Sequence, residues 1–204
     1  SDEIKMLKDK GKVFTDHKRY KSILSSVSSN HDVAILDDGF QDFSIKPDFS
    51  ILCFNSTQMI GNGLLIPSGP LRESLRAILR ADCIIINGPK NLEFEKKLFK
   101  TIQNKKLHIF YSKYKIKNIE KFKNKEITAF AGIGNPSNFF DLLRKNNLDI
   151  KETFSFPDHH EYSKKDFEKI IKDRSTKIIT TEKDYYRMND SQKQNCEYVE
   201  VNLE

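Results

Sequence analysis

Short apolar runs alternate along this chain with polar, turn-prone stretches, and their periods predict strands alternating with helices. Val13-Phe14, Asp32–Leu36, Phe49–Phe54 and Cys83–Ile86 read as strands, with Val33–Leu36 as a run buried on both faces, and a β segment can also form at Leu107–Tyr111. Ser22–Val27 fits a helix. Pro70–Arg80 fits one more clearly, because Leu71, Leu75, Ile78 and Leu79 share a face, Pro70 suits the first helical position and Ser68 or Gly69 can cap it. The stretch from Asn91 to Lys125 is charged, and a linker or domain boundary is expected near Lys121. A second alternating series follows: strand Ile127–Ala131, helix Pro136–Lys145, strand Ile150–Phe154, helix Ser163–Lys172 and strands Lys177–Thr181 and Tyr198–Leu203. Ser163 and Asp166 have capping-box spacing. The expectation is an α/β protein in which a parallel sheet flanked by helices occupies residues 1–120 and a smaller α/β unit occupies residues 121–204.

Bulk properties permit that organisation and narrow its chemistry a little. With 204 residues, 37% of them hydrophobic and 15 of them Phe, the chain can bury one large core or two small ones. The net charge of +6 gathers in segments such as Lys113–Lys117 and Lys121–Lys125. It suits polyanions, acidic headgroups or phosphorylated substrates, and equally an ordinary lysine-rich surface. Cys53, Cys83 and Cys196 are odd in number and lack CxxC spacing, which points away from a zinc site and toward a reducing compartment. No apolar run approaches membrane-spanning length, and no signal peptide is visible.

Five segments carry candidate chemistry. Asp37-Asp38-Gly39-Phe40-Gln41 follows the apolar run Val33–Leu36, where a strand should emerge from its sheet. Ligands of open α/β folds bind at that edge, and an acidic pair there can hold Mg²⁺; the same residues can equally cap a turn that Gly39 permits. Gly61-Asn62-Gly63 runs on to Gly69-Pro70-Leu71-Arg72-Glu73, a glycine-rich loop leading into an expected helix start, which attracts anions. Phe156-Pro157-Asp158-His159-His160-Glu161-Tyr162 gathers acid and imidazole groups in a loop. Ala131-Gly132-Ile133-Gly134-Asn135-Pro136 imitates the opening of a dinucleotide fingerprint, with Glu152 downstream, but Ser137 replaces the third glycine and a tight turn packing helix on strand is the expectation. Thr181-Glu182-Lys183-Asp184 ends another strand with charge.

Taken in order, these segments resemble the tetraacyldisaccharide 4′-kinase family, the lipid A 4′-kinases of Gram-negative bacteria. Ser1-Asp2-Glu3 is similar to the family's Gly-Asp-Glu, and Asp37–Gln41 matches its Asp-Asp-Gly-Phe-Gln. Gly61–Glu73, Ala81-Asp82 through Asn87-Gly88, Ala131–Pro136, Asp158-His159 and Thr181–Asp184 complete the series. The resemblance implies a P-loop NTPase-like fold that moves the γ-phosphate of ATP to the 4′-hydroxyl of a tetraacyldisaccharide 1-phosphate. It implies Asp2 as the base for that hydroxyl and His159 as the residue that orients or tunes Asp2. Asp37 and Asp38 would serve Mg²⁺, while Arg72, Glu73, Glu3 and Gln41 would organise ATP and the metal. The implied partners are ATP, an acylated disaccharide 1-phosphate lipid and an anionic membrane surface, at the cytoplasmic face of the bacterial inner membrane and with no transmembrane segment in this chain. No nucleic-acid partner is expected.

Two departures qualify the match. The family usually follows Asp-Asp-Gly-Phe-Gln with His, where this chain has Asp42. The phosphate loop G-x-x-x-x-G-K-[ST], which the family carries ahead of its Gly-Asp-Glu, does not occur here. The expectation is therefore that position 1 lies within a longer parental enzyme and that the isolated chain has little kinase activity. The alternative reading is a non-catalytic homologue that binds anionic glycolipid.

Overall fold

The computed structural model describes residues 2–103, 105–173 and 175–204, and of residues 2, 3 and 5 it describes the backbone alone. The chain divides into two compact units. The first comprises Phe14–Tyr114 with Leu203–Glu204, and the second comprises Ser1–Val13 with Lys115–Asn202. The chain passes from one to the other at Tyr114 and Lys115, and the N-terminal helix α1 (Asp2–Lys8) belongs with the second.

In the first unit α2 (Arg19–Ser28) precedes β1 (Ile51–Asn55), a 3₁₀ helix (Leu75–Arg80), β2 (Cys83–Asn87), α3 (Leu92–Ile102) and β3 (His108–Ser112). The three strands form a parallel sheet with β2 in the centre. Their registers run in step, Ile51 beside Cys83 and Cys83 beside His108, so Asn55, Asn87 and Ser112 end together at one carboxyl edge. Parallel strands need a crossover, and α3 supplies the one between β2 and β3. Its residues Phe94, Leu98 and Ile102, each four apart, bury one stripe against Ile84, Ile86 and Ile78. The Asn91 side chain caps it by accepting from the Phe94 amide at 3.0 Å, and Glu93 and Glu95 stand in its first turn.

Three expectations for this unit are corrected. Residues 32–36 are not a buried strand: Val33 is 77% exposed and Ile35 93% exposed. An apolar run becomes a strand only when a neighbour satisfies its backbone, and among the described residues nothing pairs with it; the same holds for Val13-Phe14. The expected helix Pro70–Arg80 starts only at Leu75 and is 3₁₀. Its would-be first turn is engaged elsewhere, because the Leu71 amide donates to the Leu64 carbonyl at 3.2 Å and the Leu71 carbonyl accepts from the Ile66 amide at 2.9 Å. In the charged stretch after Asn91, the amphipathic helix α3 was masked by lysines and glutamates on its solvent face.

The second unit continues with β4 (Tyr114–Ile116), β5 (Glu126–Ala131), α4 (Pro136–Lys145), β6 (Asp149–Ser155), α5 (Lys164–Ile170), β7 (Lys177–Thr181), α6 (Glu182–Arg187), α7 (Asp190–Lys193), β8 (Glu197–Val199) and β9 (Val201–Leu203). Its parallel sheet has the order β6-β5-β7-β8. The central strand β5 is buried on both faces, as its mostly apolar sequence requires, and its one buried polar side chain, Thr128, shares a hydrogen bond with Thr176 at 2.8 Å. Ile127, Ala129 and Ala131 face Phe139, Phe140 and Leu143 of α4, while Phe130 faces Tyr162 and the α5 residues Phe167 and Ile170. Pro136 occupies the start of α4, and the Ser163–Asp166 capping box starts α5. Parallel sheets flanked by helices are thus the architecture of both units. No helix among the described residues is long and apolar enough to cross a membrane.

Two outcomes follow from this packing. Phe130 is fully buried, with its ring edge-on to Tyr162 and Phe167 at 5.1 and 5.8 Å. Phe130→Ala should destabilise the protein by about 3–5 kcal/mol in denaturant titration; a loss under about 1 kcal/mol would show that the site is not a packed core. The Ser163 hydroxyl, the Ser163 amide and then His160 hold the Asp166 carboxyl down to about 2. Because the folded pKa is depressed, this contribution is present above the ordinary carboxylate value near ~4 and is lost as the pH falls through about 2. NMR titration of the Asp166 carboxyl should show that low midpoint, and Ser163→Ala should return it toward the ordinary range.

Candidate active site

The site residues read from the sequence fall into two groups, one in each unit. In the first unit, Asp37 and Asp38 sit in a turn, and the left-handed residue of that turn is Asp38 (φ 50) rather than Gly39. An Asp tolerates this conformation better than most residues. Gly39 is required for a different reason, since a Cβ there would stand 2.8 Å from the Leu36 Cβ. The Arg19 guanidinium clamps the turn by donating to the carbonyls of Asp37 and Asp38 at 3.1 and 3.0 Å. Asp42 helps to hold Arg19 (3.6 Å), and hydrogen bonds from the Ser44 hydroxyl and amide keep the Asp42 carboxyl below its ordinary range. Asp42 is therefore built into the turn as an acceptor. Asp42 and Arg19 also border an open depression lined by Asp16, His17, Lys18, Tyr20 and Ser44.

The glycine-rich loop delivers its two charged residues to this turn. Asn62 closes the loop by donating to the Ser68 carbonyl at 2.8 Å and accepting from the Leu64 amide at 3.0 Å. Arg72 then donates to the Asp38 carboxylate at 2.5 Å. More than half of each side chain is exposed, so the pair contributes little to stability, and the loop is held by its backbone hydrogen bonds instead. Glu73 accepts two hydrogen bonds from Arg80, both 2.8 Å, and one from Gln41. Those bonds, the Arg80 pair first, keep the Glu73 carboxyl below its usual range. The Arg80 guanidinium lies over the Phe40 and Phe43 rings at 4.7 and 4.9 Å. Asp38, Arg72, Gln41 and Glu73 are therefore brought together as two linked pairs. Arg72 and Glu73 lie on the loop before the 3₁₀ helix, so the expected anion site at a helix N-terminus is corrected to a site of side chains. Arg19 and Arg80 were missed: Arg19 lies 18 and 19 residues from the carbonyls it holds, and no local pattern marks Arg80 as the partner of Glu73 seven residues away.

Among the described residues no group of three or more His, Cys, Asp or Glu converges as a metal centre. Mg²⁺, however, is usually held by one or two carboxylates together with substrate phosphates and water. Asp37 and Asp38, adjacent in an exposed turn, meet that smaller requirement, with Asp38 shared with Arg72.

In the second unit, His159 sits in the loop after β6 with its backbone in the left-handed region (φ 59). Its amide donates to the Gly132 carbonyl at 3.2 Å and to the Asp158 carboxylate at 3.0 Å. More than half of the imidazole is exposed. His160 is held differently, stacked on Phe156 at 4.7 Å with its Nε2 3.2 Å from Asp166. The expected sites Asp2 and Glu3 lie, as side chains, outside the described residues. The Gly132 amide donates to the buried Asp184 carboxylate at 3.1 Å, which makes this segment a packed turn. In a dinucleotide site that amide would face a pyrophosphate, so the turn reading is the better one.

The lysine-rich stretch is partly neutralised within the fold. Lys117 pairs with Glu200 at 3.4 Å, Lys123 with Glu120 at 2.5 Å and Lys113 with Glu204 at 4.0 Å.

Comparison with known proteins agrees with the ordered motifs. The tetraacyldisaccharide 4′-kinase of Pelagibacter ubique is 41% identical to this chain, covering all of it and 66% of its own length. That of Parvibaculum lavamentivorans is 33% identical over 84% of the chain and 51% of its own length. A crystal structure of LpxK from Aquifex aeolicus in complex with ATP is 27% identical and superposes with a TM-score of 0.64, covering 91% of this chain and 57% of that one. The chain thus spans between half and two thirds of the length of these relatives. Residues 1–204 match the tetraacyldisaccharide-1-P 4′-kinase family throughout, and the chain belongs to that family.

Proposed function

We propose that the protein containing this chain is an ATP-dependent kinase that phosphorylates the 4′-hydroxyl of a tetraacyldisaccharide 1-phosphate. The observation that carries this reading is the family match across the whole chain, with Asp38–Arg72 and Gln41–Glu73 formed as neighbouring pairs in the first unit. The similar Aquifex aeolicus structure holds ATP, which supports ATP as the phosphoryl donor here.

The chemistry of the residues suits the reaction. The 4′-oxygen attacks the γ-phosphorus, a new P–O bond forms, and the bond to the β-phosphate oxygen breaks to release ADP. The hydroxyl proton passes to Asp2, which His159 orients. Arg72, anchored on Asp38, offers a guanidinium to the phosphate oxygens, where charge builds up as the γ-phosphoryl group moves. Glu73 and Gln41 fix the adjoining turn through Arg80, and Glu3 joins the group that organises ATP. Asp37 and Asp38 would hold Mg²⁺, whose charge, when it is bound, neutralises the phosphates. The acidic pair stands in a turn clamped by Arg19, which limits the reorganisation needed on binding.

The substrate is an acylated, anionic lipid, so its enzyme works at a membrane surface. The net charge of +6 supports a peripheral position on the cytoplasmic face of the inner membrane. The division of the sequence into residues 1–120 and 121–204 is kept as a proposal for functional halves, nucleotide chemistry in the first and the His159 loop in the second.

In the full-length protein, Asp2→Ala, Asp38→Ala and His159→Ala should each lower kcat by about 100-fold or more while circular dichroism and the thermal midpoint stay near wild type. Near-normal turnover in all three would sink the site assignment. Binding of the acylated disaccharide with no transfer from ATP, in the unmodified protein, would favour a glycolipid-binding homologue instead.

A further inference from the structure

The buried Asp184 carboxylate is heavily hydrogen-bonded, and neither the phosphoryl transfer nor the metal site uses it. It is fully buried and accepts four hydrogen bonds: from the Gly132 amide at 3.1 Å, the Thr181 hydroxyl at 2.6 Å, the Tyr162 hydroxyl at 2.9 Å and Arg187 at 3.1 Å. Arg187, itself almost fully buried, also donates to the Gly132 carbonyl at 2.7 Å. That same carbonyl accepts the His159 amide at 3.2 Å. Both polar groups of Gly132 are thus fixed by the Asp184–Arg187 pair, and one of them carries the backbone of His159.

The surroundings leave this turn no slack. A Cβ on Gly132 would lie 2.9 Å from the Tyr162 hydroxyl, 3.1 Å from the Pro157 carbonyl and 3.2 Å from Asp184. The Phe156 amide donates to the Ala131 carbonyl at 2.9 Å, so the segment carrying His159 is tied to the end of β5 at two successive carbonyls. Burial and the Asp184 charge both push the Tyr162 hydroxyl well above its ordinary range, which keeps it a donor.

We propose that Asp184, Arg187 and Tyr162 form a positioning cluster that sets the backbone of the His159 loop through Gly132. These are positioning residues, since none touches the reacting atoms. The inference rests on the proposed role of His159, but its structural half can be tested without any activity.

The experiment uses the full-length protein with Tyr162→Phe, which deletes one hydroxyl, and Arg187→Lys, which keeps the charge but not the forked donors. Amide hydrogen exchange of residues 156–160 is compared with that of central strand β5, and kcat and KM for ATP are measured in parallel. The expected result is exchange at the loop faster by about tenfold or more while β5 is unchanged. With it, kcat should fall by about tenfold or more and KM for ATP should stay within about twofold. Equal acceleration at the loop and at β5, or at neither, would overturn the proposal by showing a merely structural role. His159→Ala separates the two claims. If it leaves turnover intact, the role of His159 fails and the exchange comparison alone decides the positioning claim. If it abolishes turnover while a loosened loop leaves kcat unchanged, the positioning claim is overturned.

Discussion

A carboxylate with no access to water must be satisfied by the protein, and in the second unit Asp184 for that reason draws its donors from several separate stretches of chain. Its donors come from the turn after β5, the end of β7, the loop before α5 and the last turn of α6. Losing one partner of such a pair costs about 3–5 kcal/mol, because the other is left charged and dry. That penalty is large beside the net stability of a domain, so the segments cannot drift apart cheaply. The turn that supports His159 is consequently held at both polar groups of Gly132, although the His159 ring itself lies largely in solvent.

The first unit solves the same problem with exposed charges. Its acidic turn is held through backbone carbonyls by Arg19, and its glycine-rich loop is closed by backbone and Asn62 hydrogen bonds. The Asp38–Arg72 and Glu73–Arg80 pairs therefore do not have to carry the fold. Surface ion pairs rearrange readily, which suits groups that would exchange protein partners for phosphate and metal. Apart from Asp2 and Glu3, which lie in α1, the candidate residues stand on loops and turns, where binding and catalytic residues concentrate.

Much of this was legible in the sequence where a single element explains its own pattern. The strand runs Cys83–Ile86 and Ile127–Ala131, Pro136 at a helix start and the Ser163–Asp166 box all signal locally, and all form as read. Legibility failed where the decision was tertiary. Residues 32–36 have a strand's composition, yet among the described residues they have no ladder partner. Pro70–Glu73 has a helix start's composition, but its backbone pairs back onto Leu64 and Ile66. The same limit explains the site: Asp37, Asp38, Arg72 and Glu73 announce themselves in motifs, whereas Arg19 and the Asp184–Arg187 pair matter through partners distant in sequence, and Arg80 through Glu73 seven residues away and the Phe40 carbonyl forty away. Thr181-Glu182-Lys183-Asp184 did signal charge at a strand end, but nothing in its sequence tells that Asp184 turns inward.

The central claim is that these loops belong to a phosphotransferase acting on a sugar hydroxyl. The most direct measurement is transfer from γ-labelled ATP to an acylated disaccharide 1-phosphate by the unmodified full-length protein with Mg²⁺, with the product's phosphate positions read by NMR. The account predicts a single new phosphomonoester at the 4′-oxygen and one ADP released for each. Label appearing only as inorganic phosphate, or on any other hydroxyl, would contradict it.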